Sequence, residues 1–158
     1  MINLINLLIL FALGIVYLFF YAKIQRSYFK KFGEGSRPLA VTILFLASVI
    51  SASVNLVHIA EQAADANRFF LSAGSYGKSF VYSLAYFTGM WLFSLGTFYA
   101  SFLITSLLTT ETEKDELVNN NIEFALLHGI ILISLSFIIA PPLTKIASSF
   151  IPYPELPF

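Results

Sequence analysis

The sequence predicts an all-α, polytopic membrane protein with four transmembrane helices. Three observations predict it. Hydrophobic residues make up 58% of the 158-residue chain and charged residues only 11%, against roughly 25% charged in soluble domains. The charges gather in clusters, and between the clusters lie four apolar stretches near or above the ~20 residues that a spanning helix needs. So few charges cannot clothe a water-soluble fold of this length, whereas hydrocarbon accepts an apolar exterior and demands only internally paired backbone groups. Strands do not compete, because the runs lack two-residue alternation and far exceed strand length.

The first span covers about residues 2–22. No basic segment precedes it and a dense one follows, so it reads as an uncleaved anchor rather than a signal peptide. The second covers about 38–58, with Pro38 in the first turn, where a missing N–H costs nothing. The third, about 79–108, is long enough to require tilt or protrusion. The fourth, about 122–140, stops at Pro141-Pro142. Residues 143–151 are too short for a fifth span and carry Lys145, so they read as an interfacial turn of helix.

Basic residues near span ends set orientation. The first loop, 23–37, holds Lys23, Arg26, Lys30, Lys31 and Arg37 against a single acid, Glu34, and is expected in the cytoplasm. Both termini then face outward, as does the balanced second loop with Glu61, Asp65, Arg68 and Lys78. The third loop, 109–121, is expected inside although acidic (Glu111, Glu113, Asp115 and Glu116 against Lys114), since acids contribute little to topology.

Within lipid, helices associate by close backbone approach and interhelical hydrogen bonds rather than by a hydrophobic force. The second span suits this, because Ala47, Ser48, Ser51, Ala52 and Asn55 make one small and polar face. Gly89, Gly96 and Ala100 share a face of the third span, and Ala125 and Gly129 stand at small-xxx-small spacing in the fourth, with Ser136 two turns beyond. Two readings stand: packing within the bundle, or a pore or subunit interface lined by Ser51 and Asn55. Aromatics crowd the third span (among them Tyr82, Phe87, Trp91, Phe98, Tyr99 and Phe102) and are expected to face lipid or fill gaps between helices.

Chemistry is scarce. The chain has no cysteine, which excludes disulfides, thiolate metal sites and thiol catalysis, and its formal net charge of zero gives no reason to expect a nucleic-acid partner. Ser72–Ser79 ends like a phosphate-binding loop but lacks the leading glycine, the preceding strand and a soluble helix. Gly33-Glu34-Gly35-Ser36 reads as a turn. His58, Glu61, Gln62 and Asp65 share one face if the second helix continues beyond the membrane, a thin set for a metal that needs three or four ligands. His128 is the one titratable side chain clearly inside a span, and either hydrogen-bonds a neighbouring helix, with Ser51 or Asn55 as partner, or serves gating. No nucleophile, base and orienting group can be assembled, so neither an enzyme nor a cofactor is expected.

The two halves share a plan of span, polar loop and span, with Ser51 and Ser136 at matching depth. The segment Glu34–Ala40 opens the second span much as Asn119–Ala125 opens the fourth. This plan, with the lead-in Glu116-Leu-Val-Asn-Asn-Asn-Ile-Glu-Phe-Ala125 followed by Gly129, resembles the small bacterial inner-membrane family called domain of unknown function three-fifty. The resemblance implies two tandem two-helix repeats and a bacterial inner-membrane location, and no activity. The expected function is therefore a non-enzymatic component of a membrane assembly, joined to itself or to a membrane-protein partner through small-residue faces. The alternative is a small oligomeric channel or permease with Ser51, Asn55 and His128 in its lumen.

Overall fold

The computed structural model describes residues 4–32, 38–108 and 113–150. The expected turn at Gly33–Ser36, Glu34 and Arg37 of the basic loop, Glu111 of the acidic loop, and residue 151 lie outside them. The elements in order are α1 (Leu4–Phe29), a 3-10 turn (Lys30–Phe32), α2 (Leu39–Ser72), α3 (Tyr76–Leu108), α4 (Glu113–Val118) and α5 (Ile122–Ser148). No strand occurs among the described residues, and α1, α2, α3 and α5 are each long and apolar enough to cross a membrane. The chain is an all-α, four-span, multi-pass membrane protein.

Two helices run on where the sequence reading stopped them. α2 extends for 34 residues to Ser72 rather than ending near His58. Nothing beyond His58 breaks a helix: Ala60, Ala63, Ala64 and Ala66 are strong helix formers. Its inner face also stays apolar, with Ile59, Ala63, Ala66 and Phe70 buried at three- and four-residue offsets. At about 51 Å, α2 exceeds a hydrocarbon core of ~30 Å, so its last turns, carrying Glu61, Asp65 and Arg68, extend past that core. The second loop shrinks to a tight turn at Ala73–Ser75. There Gly74 takes φ +70°, Gly74 N donates to Leu71 O and Ser75 N to Phe70 O, which is the Schellman ending that a residue without Cβ permits. The segment resembling a phosphate loop is this turn plus the first turn of α3, and Ser79 hydroxyl donates to Asn67 Oδ1.

α5 likewise passes through Pro141 and Pro142 to Ser148 instead of ending at residue 140 before a separate interfacial piece. Each proline removes one helical hydrogen bond and crowds the preceding turn. Both point outward, where no neighbouring helix competes for the space, and Thr144 hydroxyl donates to Ala140 O at 2.8 Å across the interruption.

α2 is the hub, packing most extensively on α5, then on α3, then on α1. Its small face, Ala47, Ser48, Ser51, Ala52 and Asn55, is buried throughout. α5 meets it with Ala125, Gly129 and Ser136, also buried, and a Cβ added at Gly129 would stand 3.0 Å from that of Ala47. One apolar cluster includes Phe29, Val41, Leu44, Phe98, Phe124 and Leu132, and a second includes Tyr17, Ile59, Phe87 and Met90. On α2 the polar residues Ser48, Ser51 and Asn55 fall between Leu44 of the first and Ile59 of the second; on α3, Ser94 falls between Met90 and Phe98.

The asparagine run has a structural task that its sequence does not reveal. Asn121 caps its own helix, accepting from Phe124 N at 3.1 Å. Asn120, held at φ 56°, accepts from Ala40 N at 2.9 Å. It thereby caps α2, whose own N-cap position is Pro38 and offers no side-chain acceptor. One loop thus terminates the two helices that pack most closely. Asn120→Gly, which keeps the left-handed backbone and removes only the cap, is expected to lower stability by about 1 kcal/mol. Asn120→Ala is expected to lower it further, and detergent-titrated unfolding of both variants measures the difference.

Candidate functional site

Interhelical hydrogen bonds join the polar faces of the bundle. Tyr17 hydroxyl of α1 lies 2.7 Å from Ser94 Oγ of α3, and Asn55 Nδ2 of α2 donates to the same Ser94 Oγ at 3.0 Å. Three helices therefore meet on one serine. Ser51 of α2 pairs with Ser136 of α5; Ser136 hydroxyl donates to Leu132 O at 3.2 Å, so Ser51 is the donor within the pair. His128 Nε2 of α5 lies 2.8 Å from Ser101 Oγ of α3. Ser101 gives its one proton to Phe98 O at 2.7 Å, so His128 donates through Nε2–H and presents a lone pair at Nδ1.

These pairings correct one expectation and specify another. His128 reaches neither Ser51 nor Asn55; it sits toward the basic end of the bundle, against Phe102 at 4.1 Å between ring centroids and against Phe124. Ser51 and Ser136, matched in depth by the sequence comparison, touch directly. Ser51, Asn55 and His128 are all fully buried within a single chain, so a lumen between copies would reach them only if the bundle opened. Among the described residues no Asp, Glu, Lys or Arg is buried. Asn55 Oδ1 and His128 Nδ1 are buried atoms without a hydrogen-bond partner.

The predicted small faces divide into two kinds. Those of α2 and α5, including Ala125 and Gly129, are consumed inside the fold. That of α3 is not: Gly89, Gly96 and Ala100 are exposed, and a Cβ added at Gly89 or Gly96 would meet nothing within 4 Å. α3 packs inward instead through Ser79, Ser83, Phe87, Met90, Ser94, Ser101 and Thr105. That inward stripe was readable at three- and four-residue spacing but was hidden among aromatics, which themselves divide, Phe87, Phe98 and Phe102 inward and Tyr99 outward. Tyr17 carried no comparable signal, since one tyrosine in an apolar helix reads the same on any face.

α2 does carry His58, Glu61, Gln62 and Asp65 on its continuation, but Asp65 pairs with Arg68 at 3.4 Å. Among the described residues no three metal-ligating side chains converge. Comparison of the chain with protein-family models, with curated proteins and with solved structures finds no match.

Proposed function

We propose that this protein is a non-enzymatic component of a membrane assembly, and that the outward face of α3 receives a transmembrane helix of a second copy or of another membrane protein. The observation that carries the reading is the open space over Gly96. Within lipid, small residues at four-residue spacing favour helix contact because they let backbones approach, and Gly96-xxx-Ala100 offers that spacing on an exposed surface. Leu92 and Leu103, 59% and 67% exposed, flank it and supply side chains to interdigitate with a neighbour.

A photoreactive amino acid at Leu103 is expected to give a higher-mass adduct in native membranes, identified by mass spectrometry, and Gly96→Leu is expected to abolish it. The same probe at Phe137, exposed on α5, serves as control. Monomer alone from the Leu103 probe overturns the reading.

The same proposal sets the basic end of the bundle in the cytoplasm of a bacterial cell. It is supported by Lys23, Arg26, Lys30 and Lys31, all exposed at the end of α1 and in the turn that follows.

A further inference from the structure

The outward face of α1 changes character along a single line. Val16, Phe19, Lys23, Arg26 and Lys30 follow one another at alternating three- and four-residue steps, which keeps them on one side of the helix and of the turn that extends it. All five are exposed, whereas Tyr17, Tyr21, Gln25 and Phe29 on the other side are buried in the bundle. Apolar side chains therefore face outward as far as Phe19, and cations follow on the same face. Residues 4–32 contain no Asp or Glu, and among the described residues none of these three cations forms an ion pair. Lys31, one step aside, lies 6.0 Å over the Tyr28 ring. α1 and α2 run antiparallel, since Gly14 lies against Leu56 and the rings of Phe29 and Phe45 stand 6.3 Å apart. Lys23, six residues before Phe29, thus stands about 9 Å deeper in the bundle than Phe29 at 1.5 Å per residue. A cation facing hydrocarbon without a partner is costly, so its flexible stem bends toward the headgroup layer.

We infer that this stripe binds the headgroup of an anionic phospholipid, whose acyl chains lie along Val16 and Phe19. Continuity chooses the occupant. The cations share one exposed face with side chains that meet lipid, so the molecule that covers Phe19 is the one whose headgroup reaches Lys23. Charge then chooses among lipids. Phosphatidylcholine offers a phosphate but carries its own quaternary ammonium, which neighbouring cations repel, whereas a lipid of net negative charge carries no such penalty and is drawn to basic segments beside a membrane span. From Lys23 to Lys30 is about 10 Å along the axis, a little more than the about 5–8 Å of one headgroup layer, a difference that the long side chains take up. Arg26 supplies the planar fork that pairs with two phosphate oxygens, and the lysines add point charges on either side. The other cations outside this end form no such group: Arg68 pairs with Asp65, and Lys78 and Lys145 lie on different helices.

The test uses the full chain in nanodiscs of equal parts phosphatidylcholine and phosphatidylglycerol, released into native mass spectrometry, which counts the lipids that stay bound. Phosphatidylglycerol is expected to outnumber phosphatidylcholine several-fold. Lys23→Gln, Arg26→Gln and Lys30→Gln combined are expected to remove that preference, and Arg26→Gln alone to reduce it. All three side chains are exposed, so these variants are expected to keep the helical circular dichroism of the parent. Arg68→Gln, Lys78→Gln and Lys145→Gln combined, which remove as much charge elsewhere on the chain, are expected to leave the preference intact. Equal retention of the two lipids overturns the inference, as does a preference that the first triple variant keeps. Millimolar inorganic phosphate is expected to change nothing; loss of the preference there would show a site for free anions and overturn the inference. A photoreactive amino acid at Ser27, exposed beside the stripe, is expected to capture lipid in native membranes, and a protein adduct in its place overturns the inference too. Gly96→Leu is expected to leave the lipid preference intact, so failure of helix association at α3 and failure of lipid binding at α1 are separable.

Discussion

Gly129→Leu is expected to prevent the bundle from assembling. The backbone at Gly129 approaches α2 so closely that even a methyl group would stand 3.0 Å from Ala47 Cβ. A leucine adds three further carbons at the most extensive helix interface of the chain. Overpacking of this kind costs typically 1–3 kcal/mol and sometimes more. Here a second effect adds to it, because forcing α2 and α5 apart also parts Ser51 from Ser136 and strains the bond from His128 to Ser101. No hydrophobic force between helices in lipid can compensate for a worse fit. Gly129→Ala is expected to give a graded, milder loss, and Ala47→Gly combined with Gly129→Ala is expected to recover most of it. Unfolding in mixed micelles, followed by circular dichroism and by the fluorescence of Trp91, ranks the variants; a Gly129→Leu protein as stable as the parent would show that the two backbones do not meet as described.

Ser94→Ala is expected to have the next largest effect, a loss of about 2 kcal/mol. One hydroxyl serves two buried partners, Tyr17 and Asn55, and its removal leaves both without a bond while changing volume little. Each buried polar group so stranded costs about 1–3 kcal/mol in proteins generally, whereas interhelical bonds measured in membranes average ~0.6 kcal/mol. The second figure is low because a separated helix in lipid still finds other partners, and it sets the lower limit. Tyr17→Phe removes one of the two stranded groups, so the combined variant is expected to be less damaged than the sum of the single changes. Strict additivity in that cycle, read by the same unfolding assay, would mean that Tyr17 and Ser94 do not share a bond.

Much of this was legible along the chain. Composition and the clustering of charge specify four helices, because a hydrocarbon solvent leaves the backbone few ways to pair its own groups. The small faces of α2 and α5 were legible too, since a helix places residues three and four apart on one side whatever surrounds it. The limits of α2 and α5 were not. His58 to Ser72 reads as a loop by hydropathy alone, yet its alanines and the buried row Ile59, Ala63, Ala66 and Phe70 keep it helical once α3 packs against it. Pro141 and Pro142 read as a stop, yet a proline pair that faces outward clashes with no neighbouring helix.

What the sequence determined by itself was the solvent of this protein, the class of its fold and the residues small enough to let helices touch. Which of those residues do touch was decided only by the tertiary structure. Gly129 and Gly96 are chemically identical and both lie in apolar helices, but the first is pressed against Ala47 and the second meets open space. A helix carries several faces that could pack, and which of them turns inward depends on the simultaneous fit of all its neighbours, a property that no single segment contains.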